Sequence, residues 1–226
     1  QWLSTFMSYS ADHADFLVKY PYPGGNILVS QANALAFAGV LFPEFKNAKQ
    51  WLDTGCETLG VQVKDQFLDD GMHFELDLSY HIGTIGNFYE VMKLVEANRM
   101  SDKLPADFRE SLRKAAELVM HFTYPNFFNA KLGGYYVPGF NDTRQESWTR
   151  SVLTRNFNRY IEMFPGHSEL TYMATVGKQG NKPNNSPKLF SKGGYYVLRN
   201  GWEPTSTMLI HSNNYKDEAF KDASHN

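Results

Sequence analysis

One short stretch of the sequence gathers most of the side chains that can carry protons. Residues 69–81, DDGMHFELDLSYH, contain two histidines, one tyrosine and four carboxylic acids. Such groups are the usual acid–base carriers of enzymes, and a loop that leads into a helix can present them to a cleft. On these grounds Tyr80 is a candidate site residue, and Glu75 and His81 are candidate substrate contacts. The alternative is a solvated acidic loop with a helix start at Ser79.

An amide follows two glycines at the expected start of a helix. Asn26 comes after Gly24 and Gly25 and precedes an Ala-rich stretch with few charges. An amide at a helix N-terminus lies beside the positive end of the helix dipole, where it can donate to an anion such as a uronate carboxylate. The alternative is an ordinary N-cap residue, which needs no function.

Two further groups of side chains suit contact with an acidic sugar. Arg155 and Asn156 lie in the last predicted helix, where a guanidinium can neutralise a sulfate or a carboxylate. Arg199 and Trp202 lie at a turn and offer a cation and a flat aromatic ring. The alternatives are a solvated helix face for the first pair and an ordinary hairpin end for the second.

The elements that must position these residues are mostly helices. Apolar residues recur at helical spacing through most of the chain, and clusters of Pro and Gly interrupt them. Asn26 is the predicted N-cap of the second helix. Successive helices with short connections form helical hairpins and favour an α/α toroid or stack. Helices are predicted over residues 1–19, 27–41, 44–67, 80–98, 105–123 and 145–163.

The pattern changes toward the end of the chain. Residues 177–193 are rich in Gly, Pro and Asn and show no periodicity, which predicts a linker. Residues 193–199 and 207–211 then predict two strands joined by a turn. The predicted fold class is therefore α+β, with toroid helices over residues 1–176 and the start of an antiparallel β-sheet domain over residues 194–226.

Composition argues against several classes of protein. A net charge of −2, with Lys and Arg scattered along the chain, gives no basic stripe for nucleic acid. The sequence contains no run of 18 or more apolar residues, so no transmembrane helix is predicted. Motifs of nucleotide loops, serine-hydrolase elbows and zinc proteases are absent from the sequence. A lone cysteine, Cys56, excludes an internal disulfide and is predicted to fill space in the core.

Both ends of the chain indicate a piece of a longer protein. The sequence opens at Gln1 without Met and inside an amphipathic pattern, and it stops at Asn226 without a closing helix or strand. The N-terminus of the sequence lacks a charged segment followed by an apolar one, so no signal peptide is predicted. The aromatic content of 15% is high and slightly favours a carbohydrate-binding cleft.

Four ordered segments resemble the heparinase II/III family of polysaccharide lyases, and the resemblance runs over nearly the whole chain. Its heparan-sulfate-cleaving members are the most similar. Four segments in the same order are far more specific than any one of them. They are FAGV followed by FPEFK at 37–46, DGMHFEL leading into Tyr80-His81 at 70–81, GKQG at 177–180 and GYYVLRNGW at 194–202.

The resemblance implies an incomplete α/α toroid followed by antiparallel β-sheets, which agrees with the change from helices to strands. It also implies β-elimination on a glycosaminoglycan that contains uronic acid, with heparan sulfate or heparin as the expected substrate. In this reaction one group neutralises the C5 carboxylate, a base removes the C5 proton, and an acid protonates the leaving O4. The product carries a C4–C5 double bond.

The family's catalytic residues are carried over one by one. Its Asn at a Gly-Asn helix start matches Asn26, its Tyr before His matches Tyr80, and its His in the β domain matches His225, with His211 as the substitute. Ile27 departs from members that have a basic residue or His at that position. A phenol is ordinarily neutral at pH 7, so a tyrosine base needs positive charge nearby.

Other expectations follow from the substrate class. The partner is an acidic polysaccharide, and the location is the periplasm or the outside of a bacterial cell. No cofactor is required by this region, and a divalent metal in the remaining β region is left open. The alternatives are a lyase for alginate or another non-sulfated uronate, an inactive glycan-binding relative, and a glycoside hydrolase that uses Glu75 and Asp77 as its two carboxylates.

Overall fold

Helices form most of the chain, and a small sheet follows them. The computed structural model describes residues 2–213. The sheet is antiparallel, in the order β1-β2-β3, with strands Lys188–Phe190, Tyr195–Arg199 and Met208–Ser212. The predicted α+β class is therefore confirmed. Within residues 2–213 the α-helices are α1 Trp2–Lys19, α2 Gly25–Leu41, α3 Ala48–Gln66, α4 Leu78–Ala97, α5 Phe108–Phe122, α6 Arg150–Met163 and α7 Ser168–Ala174.

Residue contacts divide the chain into two compact units. The first unit comprises the chain up to Gln66 together with Gly86–Phe108. The second comprises Phe67–Ile85 and the chain from Arg109 onward. The sheet thus shares a unit with α5, α6 and α7, so the division by contacts does not fall at residue 177.

In the first unit, α2 and α3 form the predicted hairpin. Two glycines allow their backbones to approach closely. A Cβ added to Gly39 would lie 2.5 Å from the Ala48 carbonyl oxygen, and one added to Gly55 would lie 2.6 Å from that of Ala32. Any larger residue at these positions would push the helices apart, and the well-packed core between them would lose contacts.

The core of the first unit is mostly apolar, and a hydrogen bond anchors its largest side chain, Trp51. Trp51 is buried, and its indole Nε1 donates to Asp15 Oδ1 at 2.7 Å, which satisfies the ring's only polar atom. Cys56 is also buried, and burial raises the pKa of its thiol to about 11. The thiol therefore stays protonated at neutral pH and fills space, as predicted.

The sheet of the second unit packs one face inward. Tyr195 and Val197 of β2 are buried, whereas Tyr196 and Leu198, which alternate with them, are exposed. This alternation follows from the two-residue period of a strand. Aromatic rings of the helices and loops complete the core beside β2. They include Phe122, 5.3 Å from Tyr195 between ring centroids, and Phe140, 5.2 Å from the same ring.

Some element boundaries differ from the predictions. The N-cap of α2 is Gly24 and not Asn26, which lies inside the first turn. The helix that follows Gln145 begins only at Arg150, because the Thr149 side chain accepts from the Val152 N–H and caps it there. The predicted linker contains β1, since residues 188–190 pair with β2. The short helix α7 was not predicted.

Within residues 2–213, no helix combines the length and the apolar character that a bilayer crossing requires.

Candidate active site

The stretch that is rich in proton carriers folds as a tight loop at the start of α4. Phe67 and His73 form a single antiparallel bridge, and the Leu68 N–H donates to the Met72 carbonyl at 2.8 Å. Leu76 has a φ of 56°, a left-handed conformation that is unfavourable for a residue with a Cβ. Such a strained backbone persists only where neighbouring contacts hold it.

Two of those contacts come from the sheet region of the same unit. The Tyr195 hydroxyl donates to the Leu76 carbonyl at 3.1 Å. The Asp70 carboxylate accepts from the backbone N–H groups of Lys192 at 2.7 Å and Gly193 at 3.0 Å. The loop is therefore tied at two points to the residues around the start of β2.

The two histidines of the loop and helix are buried and satisfied. His81 Nδ1 accepts from the His73 N–H at 3.2 Å, and its Nε2 lies 2.9 Å from the Ala115 carbonyl, so Nε2 carries the proton. His73 Nδ1 accepts from the Glu75 N–H. Burial lowers the pKa of His73 to about 3 and that of His81 to about 4. Both rings are neutral at physiological pH.

This geometry revises the role that the sequence suggested for His81. The side chain is 0% exposed, and both ring nitrogens are already bonded to backbone groups. It has no free atom to offer a substrate. His81 instead holds the loop against α5, while Glu75 is half-buried in the same loop.

Asp77 caps α4. One carboxylate oxygen accepts from the Tyr80 N–H at 2.8 Å, as an N-cap residue does, and the other accepts from the Thr143 hydroxyl at 2.8 Å. The side chain is 1% exposed, and burial raises its pKa, an effect that the Tyr80 and Thr143 hydrogen bonds partly offset. Both oxygens of Asp77 are thus occupied, which argues against the Glu75–Asp77 hydrolase alternative.

Tyr80 points the other way from its neighbour His81. It is 43% exposed and lines an open cleft of about 540 Å³ together with Ser79, Asp142 and Arg144. The capped first turn of α4 fixes its backbone. Tyr80 is therefore a solvent-accessible phenol on a rigid support, with a guanidinium and a carboxylate in the same cleft.

Residues 141–144 form the second wall of the cleft, and hydrogen bonds join this wall to the loop and to α4. Asn141 Nδ2 donates to the Leu76 carbonyl at 2.9 Å, and the Thr143 hydroxyl accepts from the Leu78 N–H at 3.0 Å. The Ser79 hydroxyl oxygen accepts from the Arg144 N–H and from Trp148 Nε1. The sequence did not point to these wall residues, because they come about 65 positions after the loop in an irregular segment.

Asn26 lies in the first unit. It is the second residue of α2 and is half-buried, and its backbone carbonyl accepts from the Ser30 hydroxyl at 2.9 Å. The Gly24 cap provides no side-chain acceptor to the first turn. An amide in this first turn lies at the positive end of the helix, which suits the anion-binding role predicted for it.

The two residues predicted on α6 have different surroundings. Arg155 is exposed. Asn156 is only 7% exposed, and its Nδ2 donates back to the Val152 carbonyl at 2.9 Å, so its amide N–H is used within the helix. The substrate contact predicted for Asn156 is therefore revised to a structural role, and that of Arg155 stays a prediction.

Arg199 and Trp202 pack together inside the unit. The Arg199 guanidinium stacks 3.6 Å from the centre of the Trp202 ring and donates to the His121 carbonyl at 2.7 Å. Burial lowers the pKa of Arg199 to about 10. Trp202 is 1% exposed, and its Nε1 donates to the Asn184 carbonyl. The predicted sugar contact is revised, because the ring has no face open to solvent.

Of the two candidate histidines, His211 and His225, only His211 lies within residues 2–213. His211 is exposed on β3, with its ring 5.9 Å from that of Tyr196. His225 lies outside the described residues, so its predicted catalytic role stays a prediction. Within residues 2–213, no three His, Cys, Asp or Glu side chains come together in a way that would hold a metal ion.

Comparisons with known proteins agree on one family. The family model described as heparinase II/III N-terminus matches residues 1–172. A heparin-sulfate lyase of Bacteroides thetaiotaomicron is 57% identical over 97% of this chain and 32% of its own length. A heparin-sulfate lyase of Pedobacter heparinus is 29% identical over 92% of this chain and 30% of its own length.

Solved structures give the same result. A crystal structure of heparinase III is 57% identical and has a TM-score of 0.90 over 96% of this chain and 34% of its own. A heparan sulfate lyase from Pedobacter heparinus is 28% identical, with a TM-score of 0.79 over 96% of this chain and 33% of its own. The likeness confirms the predicted fold class. The chain spans about a third of the length of these relatives.

Proposed function

The chain belongs to the heparinase II/III family, and on that premise we propose that the full-length protein is a lyase that cleaves heparan sulfate or heparin by β-elimination. The observation that carries the proposal is the position of Tyr80. Its phenol is accessible in a cleft, its backbone is fixed by the Asp77 cap, and a guanidinium lies in the same cleft. The names of the similar proteins support the choice of substrate.

The proposed chemistry needs one proton carrier and no water. Tyr80, as phenolate, takes the C5 proton of the uronate. The electron pair of the C5–H bond forms the C4–C5 double bond, and the C4–O4 bond breaks. The phenol can then return a proton to the leaving O4, which completes the cycle.

Asn26 has a separate task in this proposal. A proton beside a carboxylate is removed only if the negative charge that develops on the carboxylate is stabilised. An amide in the first turn of α2 can donate to that charge, and the helix dipole adds to the effect. His225, or His211 in its place, would act on the substrate or on the C5 proton of the other uronate epimer.

Absorbance of the unsaturated product tests the proposal directly. The full-length protein is incubated with heparan sulfate, heparin, alginate and a non-sulfated glycosaminoglycan, and the ultraviolet absorbance of the C4–C5 double bond is followed. We expect a rise with heparan sulfate or heparin that exceeds the rise with alginate. A protein that binds these polymers but produces no double bond on any of them would be the inactive glycan-binding relative instead.

Location and cofactor needs are part of the same proposal. Heparan sulfate is an extracellular polymer, so we propose that the protein works in the periplasm or outside a bacterial cell. Cell fractionation with an antibody to the protein tests the location. We further propose that the described region needs no metal. Retention of Tyr80-dependent turnover after dialysis against a chelator would support this, whereas loss of turnover and its recovery with a divalent ion would place a metal in the β region.

A further inference from the structure

Arg144 is a charged cleft residue to which the sequence motifs gave no role. Its side chain is exposed in the cleft of Tyr80, and its backbone N–H is held by the Ser79 hydroxyl at 3.1 Å. Among residues 2–213, no carboxylate forms an ion pair with its guanidinium. A guanidinium that the protein does not neutralise is available to an anion from outside, and its planar donors match a carboxylate or a sulfate.

The support under Arg144 is more rigid than that of an ordinary surface arginine. The preceding residue, Thr143, bridges the Asp77 carboxylate and the Leu78 N–H, and Ser79 then holds the backbone of Arg144 itself. These bonds join the arginine's backbone to the helix turn that carries Tyr80. A cation with a fixed origin beside the proposed base loses less entropy on binding than one on a mobile loop.

The second charged residue of the cleft, Asp142, indicates where in the cleft an anion would bind. Asp142 lines the same cleft and is exposed, two positions before Arg144. A carboxylate repels the anionic groups of a glycosaminoglycan, so an anion in the cleft is drawn toward Arg144 and away from Asp142. The pair therefore favours one placement of the chain over others.

We propose that Arg144 is a substrate-binding residue that holds an anionic group of the polysaccharide, a carboxylate or a sulfate, beside Tyr80. The inference rests on the proposed function, since it takes an acidic polysaccharide as the ligand. The residue acts on binding and on register. The proton transfers remain with Tyr80.

Steady-state kinetics of the full-length protein on heparan sulfate test the role. Arg144→Gln should raise KM about tenfold while kcat changes less than threefold, as expected when one charge-assisted contact to the bound substrate is lost. Arg144→Lys keeps the charge but not the planar fork and should recover part of the loss. Lys131→Gln removes the same charge at an exposed residue outside the cleft and should leave KM unchanged.

Two substrates identify the anion. If the tenfold effect of Arg144→Gln persists on a desulfated polymer, Arg144 holds a carboxylate; if it disappears there, it holds a sulfate. Both results support the proposal. An unchanged KM on both polymers, or a KM increase of equal size in Lys131→Gln, would overturn it, as would a loss of kcat accompanied by a lower melting temperature.

Direct binding separates this inference from the proposed function. In a Tyr80→Phe background, which removes turnover, calorimetric titration with heparan sulfate should show about tenfold weaker binding for Arg144→Gln than for the parent. If the unmodified protein forms no double bond on any uronate polymer, the proposed function fails. The calorimetric comparison still decides whether Arg144 binds the anion.

Discussion

Two regions of the second unit contain polar and aromatic side chains of similar types, but the two regions differ in their solvent accessibility. The start of α4 presents Tyr80 to an open cleft, whereas the Arg199–Trp202 pair fills the interior. Both regions belong to segments that resemble the family. The difference is access: the Tyr80 phenol is open to solvent, whereas Trp202 is 1% exposed and the Arg199 guanidinium stacks on its ring, so this pair presents no open face to a ligand.

The same contrast occurs within a single dipeptide. Tyr80 is 43% exposed and His81 is 0% exposed, although they are adjacent. Neighbouring residues on a helix point about 100° apart, so one can face solvent while the next faces the core. Residue type therefore identified the turn as a candidate site, and helix geometry divided its members between chemistry and packing.

The largest effect is expected from replacing Tyr80. If this effect is absent, the contrast between an accessible functional region and a buried structural region is contradicted. Tyr80→Phe should lower kcat on heparan sulfate by about a thousandfold, within the range for loss of a general acid–base group. The melting temperature should stay within a few degrees, because the phenol is exposed and the backbone cap of Asp77 is retained. Turnover that survives in Tyr80→Phe would remove Tyr80 from the mechanism.

The opposite pattern is expected in the buried region. Trp202→Ala should cost roughly 3 kcal/mol of unfolding free energy, because a fully buried ring and its stacking on Arg199 are lost. Chemical denaturation measures this cost. Under conditions where the variant is folded, its KM should match that of the parent, and a selective increase in KM would instead make Trp202 a substrate contact.

An intermediate effect is expected where packing supports the cleft. Thr143→Val keeps the shape of the side chain but leaves one oxygen of the buried Asp77 and the Leu78 N–H without their partner. We expect a loss of about 1–3 kcal/mol in unfolding free energy. The value of kcat/KM should fall moderately, because the wall that carries Arg144 is loosened. Thr154→Val, which removes a bond inside α6, is the matched control.

The smallest effect concerns pH and the buried imidazoles. Burial lowers the pKa of His73 to about 3, below the ordinary histidine value of about 6.5 in the unfolded chain. The unfolded state therefore binds more protons below pH 6.5, and stability is lost as the pH falls. Between pH 7 and pH 5.5 the loss is roughly 1 kcal/mol for this ring.

A variant isolates that contribution from other titrating groups. The unfolding free energies of the parent and of His73→Gln are measured at both pH values. The difference between them should shrink by roughly 1 kcal/mol at pH 5.5. Asp77, which faces the same turn and whose pKa is raised, shifts stability in the opposite direction but does so equally in both proteins. A difference that does not change with pH would contradict the neutral, buried state of His73.

The sequence allowed prediction of the elements that have a long, clear period. The hairpin of α2 and α3 and the strands β2 and β3 were predicted in this way. The strand β1 has three residues and α7 has seven, which is too short for a periodic pattern to stand out. The burial of His81 agrees with its spacing from Ile85, four residues later on an apolar helix face.

The site itself was predictable only in part. Tyr80 and Asn26 come from motifs that are continuous in the sequence. Asp142, Thr143 and Arg144 form the facing wall through tertiary contacts across about 65 residues, and nothing in their local pattern indicates a partner. A contact of that kind depends on how the chain folds back on itself, and the local pattern of residue types does not show this.

The ties between the loop and the start of β2 bear on how parts of such proteins can be exchanged. A chimera joined at residue 177 would keep Asp70 and Leu76 but would take the turn of Lys192 and Gly193, and the hydroxyl of Tyr195, from the donor. A donor without a hydroxyl at that position would leave the strained Leu76 without one of its supports. In a chimera, residues 69–81 and 192–195 should therefore come from the same parent protein, although more than a hundred residues separate the two segments.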